Sequence, residues 1–160
     1  MPLDADSPQR EVIIAKLNEI VEHELAGVVR YTHYSFMIFG YSRIPVVSWF
    51  RSAANETLLH ATEAGEMITM LGGHPSLGIG NLLETHKHDM AEILNESMDF
   101  ELEGIERYRE LLSLAEEAGS ITLEEYARRL ISEEAVHVSD IDKMLRRPGE
   151  VDQAIKTEAP

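Results

Sequence analysis

The sequence feature that most constrains the fold is an eight-residue segment that occurs twice. Residues 24–31 read ELAGVVRY and residues 101–108 read ELEGIERY, so five of the eight positions are identical at an offset of 77 residues. The same offset pairs three further residue types, namely Glu56 with Glu133, His60 with His137 and Met67 with Met144. One offset therefore relates four segments in the same order, which is the pattern of a duplicated helical hairpin.

Length and composition narrow the class of protein. A chain of 160 residues is expected to form a single domain over 1–160, with a bundle at about 8–147 and a polar tail at 148–160. The absence of cysteine excludes disulfides, thiolate metal sites and cysteine nucleophiles. The net charge of −15 disfavours nucleic-acid partners and attracts cations.

The sequence also lacks the signals of secretion and membrane insertion. Its first residues contain no basic region followed by an apolar run, and no stretch of 18 consecutive apolar residues occurs. We therefore expect a cytoplasmic protein without a membrane-spanning segment.

Apolar residues recur at helical spacing along nearly the whole chain. They predict four helices, at about 8–40, 45–71, 82–118 and 122–147. The fourth is expected to open on a capping box at 122–125, and no segment has the pattern of a strand. Because the connections are short, long and short, with the long one at about 72–81, the sequence predicts an all-α four-helix bundle with one long crossover.

Several polar side chains fall on the faces that the helices should bury. Glu101, Glu134 and His137 lie within apolar stripes, and Glu24 lies on the inward face of the first helix. Buried carboxylates are normally paired or bound to metal. Glutamates from two helices, combined with Glu-x-x-His motifs such as Glu134-x-x-His137 from the other two, build dinuclear iron or manganese sites. The same ligands also suit zinc.

The first half of the repeat departs from this pattern. His60 is preceded by Thr57 at the third position and by Glu56 at the fourth, and Thr57 occupies the core stripe. Residues four apart on a helix are neighbours, so Glu56 and His60 can still share an ion. Two alternatives follow. Either Glu56 reaches inward, for example through a π-bulge, or it stays at the surface and the site is asymmetric.

The order of these residues resembles the bacterioferritin branch of the ferritin-like superfamily over about 17–145. The resemblance rests on the segments 17–25, 101–104 and 133–137 and on Tyr31. It implies a dinuclear iron site whose terminal glutamates are Glu24 and Glu101. It also implies a bridging Glu134, terminal ligands His60 and His137, and a Tyr31 close enough to assist electron transfer.

The resemblance further implies oxidation of Fe(II) for iron storage or detoxification in a homo-oligomer, from a dimer to a shell. Haem is not supported, because Leu58 stands where the family has a methionine ligand. The sequence leaves two alternatives, a non-storage di-iron or di-manganese oxidase or peroxidase, and a bundle with weakened metal binding that acts as an interaction protein. The remaining histidines are expected to be solvent-facing or structural, with a weak surface-metal pattern at His86-x-His88: His23, His33, His74, His86 and His88.

Overall fold

The computed structural model of the protein describes residues 7–154. Its four helices are α1 (Pro8–Met37), α2 (Arg43–Met70), α3 (Met90–Glu117) and α4 (Ile121–Leu145). The described residues contain no strand, so the predicted all-α bundle is confirmed. None of these helices is long and apolar enough to cross a membrane.

The two halves of the repeat form two helical hairpins. α1 packs against α2 and α3 packs against α4, while α1 also packs antiparallel to α3. Short turns at 38–42 and 118–120 close the hairpins, and the crossover at 71–89 joins them. The predicted duplication therefore matches the architecture.

The crossover follows the surface of α1 and is held there by hydrogen bonds. Asn18 Nδ2 donates to the His74 carbonyl at 3.2 Å and its Oδ1 accepts from Ser76 N at 2.7 Å. Farther along, Gly80 N donates to the Glu22 carbonyl at 2.8 Å. A β-carbon on Gly80 would lie 3.0 Å from that carbonyl oxygen, so the glycine permits this close approach.

Three predicted helix starts were displaced. The third helix begins at Met90 rather than near 82, because the Asp89 side chain caps it by accepting from the backbone N–H of Ala91 and Glu92. The second begins at Arg43 instead of 45. The capping box predicted at 122–125 is wrong, since Ser120 is the N-cap and the fourth helix has already begun at Ile121.

The interior is divided into two hydrophobic clusters. The first joins the N-terminal half of α1 to the C-terminal half of α2, and includes Leu17, Ile68 and Leu130. The second lies toward the α1–α2 turn and includes Phe50 and Ile93. Between them, each helix contributes polar side chains to one buried layer at mid-bundle.

Candidate metal centre

The buried polar layer brings together five of the predicted metal-binding residues. All five are nearly inaccessible to solvent: Glu24, His60, Glu101, Glu134 and His137. They come from all four helices, because the repeat places one glutamate on α1 and α3 and one histidine on α2 and α4. The layer is thus a direct product of the duplicated pattern.

Glu134 lies at the centre of the layer and belongs to two groups of potential ligands. One group is Glu24, His60 and Glu134, and the other is Glu101, Glu134 and His137. In each group, one ligand atom from every residue lies within 4.8 Å of the others. Two sites that share one carboxylate are the arrangement of a dinuclear metal centre.

The histidine rings point one nitrogen into this layer. Glu134 Oε1 lies 2.9 Å from His60 Nδ1, and Glu134 Oε2 lies 3.5 Å from His137 Nδ1. Neither Nδ1 atom is aligned for a hydrogen bond to any part of the chain that the structure describes, and both are buried. Unpartnered imidazole nitrogens facing carboxylates fit a pair of cations of the iron, manganese or zinc class.

The outward nitrogens of the two rings contact a second pair of carboxylates. His60 Nε2 lies 3.1 Å from Glu133 Oε2, and His137 Nε2 lies 2.8 Å from Glu56 Oε2. An Nε2–H that donates to a carboxylate leaves Nδ1 free to accept a cation. The two glutamates therefore orient the rings from outside the layer.

Glu56 occupies the flank of α2 and is half-exposed. α2 is a continuous α-helix without a π-bulge over Arg43–Met70, yet Glu56 still reaches the outer side of His137. Its assignment as a direct ligand stays a prediction, although it also forms a group with His60 and Glu133. Glu133 was absent from the predicted set, even though the offset of 77 residues relates it to Glu56.

Thr57 does not replace the missing second central carboxylate. It is buried, and its hydroxyl donates to the Ala53 carbonyl at 2.7 Å. The equivalent position in the second half is Glu134. The centre therefore has one shared carboxylate, and its asymmetry is built into the sequence.

Two tyrosines hold Glu24 and Glu101 across the α1–α3 interface. Tyr108 donates to Glu24 Oε1 at 2.8 Å, and Tyr31 donates to Glu101 Oε1. Both phenols are buried, and burial together with the adjacent carboxylates raises their pKa values well above the ordinary range. The bonds are reciprocal because Tyr31 and Tyr108 are themselves related by the repeat, although only Tyr31 was predicted to lie near the centre.

Without metal, the layer retains protons. Burial, reinforced by Glu134, raises the pKa of Glu101 to about 8 and that of Glu24 well above its usual value. Burial opposes the charge on His60 and His137, but neighbouring carboxylates outweigh it and raise their pKa values to about 9 and about 11. Burial likewise opposes ionisation of Glu134, yet the adjacent side chains of Glu101, His137 and His60 outweigh it and lower its pKa. A cation that binds here must displace protons.

A cavity of about 280 Å³ opens from the surface onto the outer side of the layer. Its lining includes Trp49, Glu56, Glu133, His137 and Asp140. Three of these residues are acidic, so the cavity offers negative charge to an approaching cation.

His23 was expected to be solvent-facing or structural, and the structure shows it to be buried. Its ring stacks on Phe100 with centroids 4.0 Å apart, and Nε2 contacts the Phe100 carbonyl at 3.2 Å. Burial lowers the pKa of His23 to about 4. It is a packing residue between α1 and α3.

Solved structures show the same architecture. A ferritin-like diiron-carboxylate protein from Bacillus anthracis has a TM-score of 0.83 and 25% identity, covering 88% of this chain and 99% of that one. The bacterioferritin of Rhodobacter capsulatus, described with a metal-free dinuclear site and haem iron, gives 0.78 and 22%, covering 84% of each chain. That of Desulfovibrio desulfuricans, described with a diiron site, gives 0.78 and 23%, covering 85% and 79% respectively.

Sequence comparison gives the family. A search among curated proteins found no match. The family model for the ferritin-like domain matches residues 14–148, which is most of the chain and includes every residue of the buried layer. The chain belongs to the ferritin-like domain family.

Proposed function

We propose that this protein binds two iron ions in the buried layer and oxidises Fe(II) for iron storage or detoxification. The observation that supports this most directly is the pair of ligand groups sharing Glu134, with an unpartnered histidine Nδ1 atom in each. Carboxylate and imidazole donors suit iron, and also manganese or zinc. Fe(II) is the substrate in this proposal, and each ion gives one electron to O₂ or peroxide.

The surrounding residues have separate roles in the proposal. Glu24 and Glu101 supply terminal carboxylates, and Glu134 spans both positions. Tyr31, whose hydroxyl donates to Glu101, is proposed to assist electron transfer from iron to the oxidant. Tyr108 holds Glu24 in the equivalent way.

The acidic cavity is the proposed route for the substrate. Glu56, Glu133, Asp140 and His137 line it. Fe(II) would pass from Glu56 and Glu133 to the Nδ1 atoms of the two histidines. Glu56 would then coordinate the ion either on this route or in the dinuclear centre. The excess of negative charge over the chain favours arrival of the cation.

Assembly, haem content and location complete the proposal. Ferritin-like relatives bind metal ions and are typically oligomeric, and we propose a homo-oligomer, from a dimer to a shell. We propose that haem is absent, because the half-exposed Leu58 offers no ligand atom. A cytoplasmic location agrees with the absence of cysteine.

One observation favours a second candidate function. Thr57 leaves a single shared carboxylate, so the second position has fewer charged donors than the duplicated pattern would provide. This asymmetry favours a bundle with weakened metal binding that acts as an interaction protein. Among enzymes, the alternative is a non-storage di-iron or di-manganese oxidase or peroxidase.

Metal loading combined with kinetics tests the proposal. The protein is loaded anaerobically with Fe(II), its metal content and native mass are measured, and oxidation is followed after addition of O₂ or H₂O₂. We expect two iron ions in the buried layer per chain and at least a tenfold loss of oxidation rate in Glu134→Gln. Glu103→Gln, which changes an exposed glutamate of α3, is the matched control. Unchanged iron content and rate in Glu134→Gln would reject the dinuclear site, and absence of oxidation with full loading would reject the activity alone.

A further inference from the structure

A second group of metal-ligand side chains lies where the crossover meets α1. His33 belongs to α1, whereas Glu84 and His88 belong to the crossover. His33 Nε2 lies 3.1 Å from Glu84 Oε2, and His88 Nε2 lies 3.4 Å from Glu84 Oε1. One ligand atom from each of the three residues lies within 4.8 Å of the others, and none of them belongs to the buried layer.

The local backbone turns Glu84 and His88 toward the same side. His86 has a left-handed backbone with φ 54°, and its N–H donates to Glu84 Oε1 at 2.6 Å. A positive φ is uncommon outside glycine, though histidine tolerates it better than bulky or branched residues. Thr85 donates to Glu96 on α3, which holds this turn against the bundle. The three side chains are therefore presented by a defined turn.

The histidine from α1 completes the group. The Nε2 atom of His33 is shielded from solvent and is not aligned for a hydrogen bond within the described part of the chain, although it faces the Glu84 carboxylate. The neighbouring His86 is different, because its side chain is 84% exposed and its Nδ1 lies 3.6 Å from Glu84. The group that can share one ion with Glu84 and His88 therefore takes its third residue, His33, from α1.

From this geometry we propose that His33, Glu84 and His88 bind one divalent transition-metal ion of the zinc class. Two histidines and one carboxylate are a common zinc donor set, with metal–ligand distances of about 2.0–2.2 Å. Tetrahedral ligands at those distances lie roughly 3.4 Å apart, close to the separations of 3.1 and 3.4 Å. The fourth position is open to water, since His33 and Glu84 are partly exposed.

Binding would stabilise the position of the crossover. The ion would link the C-terminal part of the crossover to α1, beyond the hydrogen bonds that the crossover makes to Asn18 and Glu22. The site is independent of the dinuclear centre and of the reaction proposed for it. It adds a cross-link to the longest segment that lacks regular structure among the described residues.

Zinc stoichiometry tests the site. Equilibrium dialysis with Zn²⁺ is compared among the full-length wild type, His33→Ala/His88→Ala and His74→Ala, which removes an exposed histidine of the same crossover. Because the buried layer is also expected to bind zinc, the deciding measurement is the difference in bound Zn²⁺ per chain between the proteins. We expect the double variant to bind one Zn²⁺ fewer per chain than the other two, and Glu84→Gln to bind that ion at least about tenfold more weakly. Equal stoichiometry in all three would overturn the proposal.

Two further measurements keep the result interpretable. In ¹⁵N NMR of the wild type, the imidazole nitrogens of His33 and His88 should shift on zinc addition, and those of His74 should not. The Glu134→Gln variant should retain these shifts, which separates this site from the buried layer. Shifts that are absent from His33 and His88, or that vanish with Glu134→Gln, would contradict an independent site.

Discussion

Thr57 limits the number of carboxylates in the buried layer. At the repeat offset of 77 residues it corresponds to Glu134, so a glutamate there would give the layer two central carboxylates. Instead its hydroxyl satisfies the Ala53 carbonyl, and its methyl group packs near Gly27. One missing carboxylate lowers the negative charge available to a second cation and leaves the metal-free layer less repulsive.

Placing a glutamate at position 57 should lower the stability of the metal-free protein and raise its affinity for Fe(II). In Thr57→Glu we expect metal-free unfolding to become easier by about 1–3 kcal/mol, because the new carboxylate stands at a buried position. Anaerobic Fe(II) binding should tighten by at least about tenfold. Denaturant unfolding and Fe(II) titration measure the two effects.

Thr57→Val is the control for this substitution, since it removes the hydroxyl but keeps the shape. It should lose the hydrogen bond to Ala53 at a cost of about 1 kcal/mol and leave Fe(II) affinity unchanged. If Thr57→Glu bound Fe(II) no more tightly than Thr57→Val, position 57 would not face a metal-binding site.

Helical periodicity located most of the layer but not its outer shell. It identified which residues face inward, because a period of 3.6 fixes the side of a helix on which a residue lies. It did not identify Glu133, which lies on the flank of α4 and whose side chain contacts His60. Whether a flanking side chain contacts the neighbouring helix depends on its torsion angles and on the position of that helix, and the sequence pattern contains neither. The internal repeat contained the missing signal, since Glu133 and Tyr108 are the counterparts of Glu56 and Tyr31.

Helix α1 approaches α2 and α3 closely at Gly27. A β-carbon at Gly27 would lie 2.8 Å from two ring carbons of Phe100 and 2.8 Å from Thr57 Cγ2. The Phe100 ring is fixed between His23, on which it stacks, and Tyr31, which it meets edge-on. Gly27 therefore sets the spacing of three helices next to the buried polar layer.

Gly27→Ala should weaken the bundle although alanine is the better helix former. Overpacking costs about 1–3 kcal/mol, whereas the propensity gain is about 1 kcal/mol. Gly65→Ala on α2 is the matched control, because nothing lies within 4 Å of the added β-carbon. We expect Gly65→Ala to raise the free energy of unfolding by up to about 1 kcal/mol and Gly27→Ala to lower it. A stabilised Gly27→Ala would show that the helices can separate at no cost.

Element boundaries were less predictable than element identity. The apolar residues Leu82 and Leu83 continue the periodicity of α3 toward its N-terminus, yet both are largely exposed and lie in the crossover. The helix starts only where Asp89 can cap it. A crossover from 71 to 89 also has the length needed to travel along α1, which a ten-residue link between longer helices would reach only when nearly taut.

At the scale of the whole molecule, the buried polar layer separates the two hydrophobic clusters and involves all four helices. Five buried ionisable groups oppose folding unless they are paired, protonated or bound to a cation. Because the pKa values of the two histidines, Glu101 and Glu24 are raised, we expect protons to perform this role when no cation is bound. Cations and protons therefore compete for the same interior.

This competition predicts that metal stabilisation depends on pH. Between pH 6 and pH 8 the metal-free layer still holds protons, because the pKa values of Glu101, His60 and His137 are about 8, 9 and 11. Fe(II) must displace them, so its affinity should rise with pH across this window. At a free concentration 100 times the dissociation constant, binding adds about 2.7 kcal/mol, or a rise in Tm of roughly 5–10 °C for a chain of this size.

Anaerobic thermal unfolding at a fixed Fe(II) concentration measures this rise. It should be clearly larger at pH 8 than at pH 6, and much smaller at both in Glu134→Gln, which lacks the shared carboxylate. Because the sign follows from proton displacement alone, it holds for iron, manganese or zinc. A rise in Tm that was equal at both pH values would mean that the cation binds outside the protonated layer, and the buried centre would no longer account for the stabilisation.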